Sequence, residues 1–315
     1  MQIAILNDSS FEATHLARLR DVGTLTIYAE TTNEAQAAAR VKNVEIALVD
    51  GFKMPLNRVV IENGAKLRLL ALNSTAFHMV DLNAANDRGV KVANIPGYAA
   101  ESVAEHAIAL MLAVVRAIPL GDAAMRANPF QIDASNHEHK RFLGFELRGK
   151  TLGVIGLGAI GSRVAELGLG FGMKVLAYSR NRRPMNSVEH VALDELMRRS
   201  DIVSVNLALD SETENIISDR ELGLMKPSAV LINTADGRHI NTLALYRALK
   251  ERRIFAAGLD VLAEWDKSNP LLGLDNIVLS PQSASWTREA CGNLAEFVVR
   301  TVEAFACGRP INLVN

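Results

Sequence analysis

Six residues, Gly156-Leu157-Gly158-Ala159-Ile160-Gly161, have the types and spacing to hold a phosphate against the main chain. The three glycines have separate tasks. Gly156 permits a tight turn, Gly158 lets a pyrophosphate approach the backbone, and Gly161 lets the following helix lie close on its sheet. The first turn of that helix carries N–H groups without intrahelical partners, and its dipole favours an anion there. The pattern gains weight from its setting. Thr151–Ile155 is a short apolar run with β-branched members, Val164, Ala165, Leu167 and Leu169 supply the buried side of a helix, and Lys174–Tyr178 is the next strand. Strand, glycine turn, helix and strand in that order predict a dinucleotide site.

The residues after the second strand bear on which dinucleotide it is. An NAD site places Asp or Glu about 20 residues beyond the turn, on the ribose 2′-hydroxyl. Here that place is Ser179, followed by Arg180-Asn181-Arg182-Arg183. The local sequence offers no carboxylate to repel a 2′-phosphate, and it offers a hydroxyl and guanidiniums to bind one. NADP(H) is therefore expected over NAD(H), read by Ser179, Arg180 and Asn181. Arg182 and Arg183 fit a solvated basic turn equally well.

The elements that must position these groups follow from short apolar runs alternating with helical stretches. Strands are expected at Ile3–Leu6, Leu25–Tyr28, Ile46–Val49, Leu69–Leu72 and Val90–Ala93, with helices over Phe11–Arg20, Glu34–Val41, Leu56–Asn63 and Asp81–Arg88. Beyond the glycine unit come strands at Ile202–Val205, Val230–Ile232, Phe255–Leu259 and Ile277–Leu279, and helices near Leu193–Arg199, Asp219–Met225 and Thr242–Glu251. Such alternation predicts an α/β protein with parallel sheets covered by helices on both faces. Tyr98–Met125, with a break near Pro119, and Thr287–Cys307 are long helical patterns suited to crossings between two domains. Asn128–Arg148 is a polar, irregular excursion.

Composition narrows the function classes. A chain of 315 residues suits two domains, each with its own core. A net charge of −1 leaves no footprint for a polyanion, so nucleic acid is not an expected partner. Cys291 and Cys307 have neither metal spacing nor a disulfide framework, which points to a reducing compartment. The chain enters a strand at Gln2–Leu6 without a leader-like segment, and its longest strongly apolar run, Ala107–Val115, is too short to span a bilayer. A cytoplasmic protein without a membrane partner is expected. His137 and His139 flank Glu138 in the polar excursion, too few ligands for a metal site.

Several motifs occur in one order along the chain: Ser102-Val103-Ala104-Glu105-His106-Ala107, the glycine turn, Met225-Lys226-Pro227, Leu231-Ile232-Asn233-Thr234-Ala235, Gly258-Leu259-Asp260-Val261, Asn269-Pro270-Leu271-Leu272 and Ser280-Pro281. In this the chain resembles the D-isomer-specific 2-hydroxyacid dehydrogenases, the glyoxylate-reductase-like members among them. The resemblance implies two doubly wound parallel-sheet domains. A Rossmann-type nucleotide domain over residues 99–287 would be inserted into a smaller flavodoxin-like substrate domain of residues 1–98 and 288–315, with the active site in the cleft between them. It also implies a small-molecule substrate and a homodimer joined through the nucleotide domain. The cofactor contacts it suggests are Gly156, Gly158, Ala159, Ile160, Gly161, Ser179, Arg180, Asn181, Asn206, Thr213, Thr234, Ala235 and Asp260.

The resemblance breaks off at the acid–base groups. The family grips its substrate's carboxylate with an Arg after Asn-Thr-Ala, where this chain has Asp236. It orients a proton-donating His with a Glu five residues after the Asp of Leu-Asp-Val, where this chain has Trp265. The His itself follows the Pro of the late strand, and here Gln282 stands there. Asp for Arg reverses the charge, Gln282 can hydrogen-bond but not exchange a proton near neutral pH, and Trp265 can only wall the site or stack. In the substrate loop, Ala76 takes the place of a Gly, with Phe77, His78 and Met79 beside it. Candidates for a rebuilt site are Asp236, Gln282, His239, His78 and Glu264. His239 lies three residues beyond Asp236, near enough to pair with it and move a proton, or else sits at the surface or caps the next helix. His106 reads as structural, on the crossing helix.

The expected function is an NADP(H)-dependent oxidoreductase on this scaffold with an altered substrate, neutral or cationic around its reacting carbon. Two alternatives stay open. One is a non-catalytic NADP(H)-binding protein. The other is a lyase- or hydratase-like enzyme that uses Asp236 and His239 and leaves its cofactor unconsumed.

Overall fold

A computed structural model describes residues 1–7, 11–49, 56–75, 77, 79–127, 138–181 and 184–315. The chain divides into two compact units, Met1–Ala99 with Thr287–Asn315, and Ala100–Trp286.

In the first unit, five parallel strands, β1 (Gln2–Ile5), β2 (Thr24–Ile27), β3 (Ile46–Val49), β4 (Leu69–Leu72) and β5 (Lys91–Ala93), lie in the order β2-β1-β3-β4-β5. This is the flavodoxin-like order. Successive side chains on a strand face opposite ways, so each strand feeds two cores. Ala4, Ala47, Val49, Leu70, Leu72 and Val92 pack on one face with Ala37 and Val41 of α2 (Glu34–Val41), Val60 and Ile61 of α3 (Arg58–Asn63) and Ala84 of α4 (Leu82–Asp87), while α1 (Ala13–Val22) lies on the other. Ile3, Ile5, Ile46, Leu48, Leu69 and Ala71 meet Leu19 and, from the helix Arg288–Ala306, Val298, Val299 and Val302 on the other. Each fully buried Leu or Ile contributes about 1.5–3 kcal/mol. Residues beyond that helix close the sheet's edge: Leu313 bridges Ala93, and Val314 N donates to Val92 O at 2.9 Å.

The second unit holds seven parallel strands: β6 (Thr151–Ile155), β7 (Lys174–Tyr178), β8 (Val188–His190), β9 (Ile202–Val205), β10 (Val230–Asn233), β11 (Ala256–Leu259) and β12 (Ile277–Leu279). Their order is β12-β11-β10-β9-β6-β7-β8. The direction of winding reverses at β6, and in such sheets ligands bind at the carboxyl ends of the strands where it does so. Helices α5 (Ala100–Val115) and α7 (Ala159–Gly170) cover one face, with Ala104, Ala107, Met111, Val164 and Ala165 packed on Leu152, Val154 and Ile232. Helices α8 (Leu193–Arg199), α9 (Asp219–Leu224) and α10 (Thr242–Lys250) cover the other. At the opposite end of the sheet Asp201 accepts from Thr151 N at 2.8 Å and from Lys226 Nζ at 2.8 Å, which places the Met-Lys-Pro motif under β6.

The helical pattern over Tyr98–Met125 is broken near Pro119 as expected, into α5 and α6 (Ile118–Ala127), bent by 57° with Ala117 at φ 48° between them. The break falls before Pro119 because proline is tolerated in a helix's first turn, where it has no bonded amide to lose. The three-residue strand β8 at the sheet's edge is too short for its periodicity to be read. Among the described residues no single helix is long and apolar enough to cross a membrane.

Candidate active site

The glycine turn lies at the switch point, after β6. Gly156 has φ 92°, a left-handed conformation, and a Cβ there would lie 2.6 Å from Asn206 O. A Cβ on Gly161 would lie 1.8 Å from Gly156 O, so only glycine lets α7 sit this close. Gly158 differs. A Cβ there would meet nothing within 4 Å, and Gly158 starts α7 with no side-chain cap. The open N-terminal amides around Gly158, exposed Ala159 and half-buried Ile160 therefore fit a pyrophosphate.

Two further strand ends carry oxygens awaiting partners. Asn206, after β9, donates Nδ2 to Ser204 O and Oγ, both at 3.1 Å, while its buried Oδ1 has no partner among the described residues. Thr234, after β10, is 8% exposed, and its buried Oγ1 is likewise without one. Buried polar atoms in native folds are paired, so both oxygens fit a ligand that brings hydrogen-bonding groups to this edge. Ala235 is half-buried beside them.

Ser179 follows β7, its Oγ donating to the carbonyl of exposed Asn181 at 2.9 Å. Arg180 corrects the sequence reading. Its guanidinium is not free but donates to Asp210 Oδ2 at 2.8 Å and to Glu212 Oε2 at 3.1 Å, so carboxylates absent from the local sequence arrive from the loop after β9. Asp210 is itself fixed, its Oδ1 accepting from Glu212 N at 3.0 Å and Thr213 N at 2.9 Å. Burial pushes its carboxyl pKa up, but the hydrogen bonds from Arg180 and Thr213 outweigh that and hold it below the ordinary value. Thr213, expected as a cofactor contact, helps build this turn, its hydroxyl donating to Ala208 O at 2.9 Å and accepting from Asp210 N at 2.8 Å.

At the end of β10, fully buried Asn233 shapes the turn that carries Asp236. Its Nδ2 donates to Asp236 O at 2.8 Å and its Oδ1 accepts from Ala235 N at 3.0 Å. Asp236 then caps the 3-10 turn Gly237–His239 by accepting from Arg238 N at 2.9 Å. The expected lone negative charge is corrected here as well. Arg238 clamps Asp236 with Nε at 3.1 Å from Oδ1 and Nη2 at 2.9 Å from Oδ2. Burial raises the Asp236 pKa, but Arg238 outweighs it, with help from nearby His239, and the carboxyl lies below its ordinary value.

His239 does not pair with Asp236, nor does it lie at the surface. It is 0% exposed, with Nδ1 3.0 Å from Thr213 O and Nε2 3.2 Å from Leu207 O. Both ring nitrogens face carbonyls of the loop after β9, and the ring is held there. Gly237 explains a second approach, since a Cβ there would lie 2.1 Å from Ala263 N. That contact brings in the loop bearing Glu264 and Trp265, both exposed, Trp265 by 57%. Asn269 Nδ2 donates to Glu264 O at 3.0 Å.

Asp260 is another expected cofactor contact. It is 2% exposed, and its carboxylate accepts from Ser280 Oγ at 2.5 Å, Ser283 N at 2.9 Å and Ala284 N at 2.9 Å. It grips the loop that carries exposed Gln282. Gln282 has φ 54° and donates its N–H to Asp260 O at 2.9 Å. From α5, His106 Nε2 lies 2.8 Å from Ser280 Oγ and 3.3 Å from Asp260 Oδ1, and Ser102 Oγ donates to Ala284 O at 2.6 Å. The i, i+4 spacing of Ser102 and His106, which puts both on one side of a mostly apolar helix, is the signal that could have revealed this clamp. His78, Ala76, Arg182, Arg183 and His137 lie outside the described residues, as do the side chains of Glu138 and His139. No cluster of metal-binding side chains occurs among the described residues.

A family model, D-isomer specific 2-hydroxyacid dehydrogenase, NAD binding domain, matches residues 108–284. The chain belongs to the D-isomer specific 2-hydroxyacid dehydrogenase family. It is 40% identical to a glyoxylate reductase of Thermococcus litoralis over 282 residues, 88% of this chain and 85% of that one. Among solved structures it is similar to an acyclic imino acid reductase (Bsp5) in complex with NADPH and D-Arg, with 34% identity, a TM-score of 0.91 and all of both chains covered. It is also similar to D-lactate dehydrogenase from Aquifex aeolicus complexed with NAD and lactic acid, with 30% identity, a TM-score of 0.84, and 100% of this chain and 99% of that one covered. As a member of the 2-hydroxyacid dehydrogenase family the chain is an NAD(P)-dependent oxidoreductase acting on a small molecule.

Proposed function

We propose that this family member is an NADP(H)-dependent reductase of carbon–nitrogen double bonds, with a protonated imino acid as substrate. The observation that carries the proposal is Asp236, a carboxylate held ionised at the turn after β10. A nicotinamide cofactor, when bound, supplies the hydride. Reduction of an oxo group creates an alkoxide that needs a proton donor, whereas an iminium already holds its proton and becomes a neutral amine on taking a hydride. Gln282, which cannot exchange a proton near neutral pH, suits the second reaction. The ionised Asp236 would attract the cationic nitrogen and favour its protonated form. Similarity to the imino acid reductase bound to NADPH and D-Arg supports the same reading.

In this proposal the open amides at Gly158 hold the pyrophosphate, Asn206 and Thr234 bind further along the cofactor, and Ser179 with Arg180 meets the 2′-phosphate. Asp260 and His239 act as positioning residues, the first on the Gln282 loop and the second on the turn of Asp236. Glu264 and His78 remain candidate substrate contacts. We also propose that the chain is a homodimer joined through the unit Ala100–Trp286. A non-catalytic NADP(H)-binding protein is the second reading, favoured by the pairing of Asp236 with Arg238. The Asp236–His239 pair on which a lyase would depend is not formed.

The test is NADPH absorbance with glyoxylate and hydroxypyruvate alone, and with 2-oxo acids mixed with ammonia or amines. Turnover should need the amine and fall about a hundredfold in Asp236→Asn. Brisk reduction of the oxo acids alone, unchanged in Asp236→Ala, would remove the proposal. Tight NADPH binding without turnover of any mixture would favour the second reading.

A further inference from the structure

Arg180 stands at the place where a dinucleotide site tells one nicotinamide cofactor from the other, yet it arrives already engaged. One guanidinium faces two carboxylates there, with Asp210 at 2.8 Å and Glu212 at 3.1 Å. Each terminal nitrogen of the fork has its own carboxylate. A 2′-phosphate can reach the guanidinium only by sharing it with these anions or displacing them, and it meets their charge as it does so. A ribose 2′-hydroxyl carries no charge and meets no such opposition. The loop holds one of the two competitors in place, because the turn amides at 212 and 213 fix Asp210 through its other oxygen.

We propose that Asp210 and Glu212 are specificity-determining residues that weaken this chain's preference for NADPH over NADH by competing with the 2′-phosphate for Arg180. The inference rests on the reading of Ser179 and Arg180 as the 2′-phosphate site. It makes the cofactor preference a balance set by three residues from two loops, and it places the effect in cofactor affinity rather than turnover. The pairs are solvent-accessible, with Arg180 59% and Glu212 74% exposed, so the effect is moderate.

The experiment titrates NADPH and NADH by fluorescence on the full chain, comparing wild type with Glu212→Gln, the double variant Asp210→Asn/Glu212→Gln, and Arg180→Ala. Asn at 210 keeps an oxygen for the two turn amides. Glu212→Gln alone leaves the turn untouched and guards against a folding artefact. Removing both charges should lower the Kd for NADPH about threefold to tenfold, with a smaller shift in Glu212→Gln and the Kd for NADH nearly constant. Arg180→Ala should weaken NADPH alone. If Arg180→Ala weakens NADPH but both carboxylate variants leave the ratio unchanged or lower it, the inference is overturned and the reading of Arg180 stands. If Arg180→Ala leaves the ratio unchanged, the reading of Arg180 fails and the inference falls with it.

Discussion

Asp236 shows how one side chain's meaning depends on its neighbour two residues away. Alone in a partly buried turn, a carboxylate would be driven towards its neutral form by desolvation. The Arg238 fork reverses that outcome and keeps the charge in place. We therefore expect Asp236 to titrate below the ordinary carboxylate range of about 3.9. Arg238→Ala should move that titration upward, because burial then acts without its main opponent. Carboxyl-labelled NMR across the acid range reads both positions directly, and an unmoved Asp236 in the variant would show that Arg238 does not set its charge.

At the scale of elements, the Gln282 loop is held from two sides, by Asp260 at the end of β11 and by Ser102 and His106 on α5. Removing the Asp260 carboxylate strands two buried amides, and Asp260→Ala should destabilise the chain by about 3–5 kcal/mol. Burial raises the Asp260 pKa, but His106, Ser280 and the loop amides outweigh it, and the folded value lies below the unfolded one. The sign follows from proton binding. The stabilisation is fully present above about pH 3.9 and is lost as pH falls through the lower folded value. Urea unfolding at pH 7 and pH 3 should show a smaller difference for Asp260→Asn than for wild type. Elements of this kind were legible where they rest on local patterns. The glycine turn, the strand order's βα alternation and Asp236 itself could all be read from spacing or from resemblance. What could not be read comes from chain-distant contact. Asp210 and Glu212 reach Arg180 from another loop, His239 is captured by carbonyls at 207 and 213, and Asp260 turns towards residues 280–284. No local window contains both partners of any of these pairs.

At the scale of the whole molecule, α6 is a helix with no buried residue, and Ile118 and Met125, seven residues apart on one side of it, are 56% and 49% exposed. The proposed homodimer would cover that side. Sedimentation should give a dimer for the wild type and a monomer for Ile118→Lys/Met125→Glu, whereas a monomeric wild type would set the dimer aside. The make-up of the first unit has a consequence for synthesis. Its β5 edge and one whole face are completed by residues 287–315, which a ribosome adds only after the entire unit Ala100–Trp286. The unit begun first is thus finished last, and during that interval the part of its apolar sheet face that Val298, Val299 and Val302 cover stands open to chaperones or to misassociation.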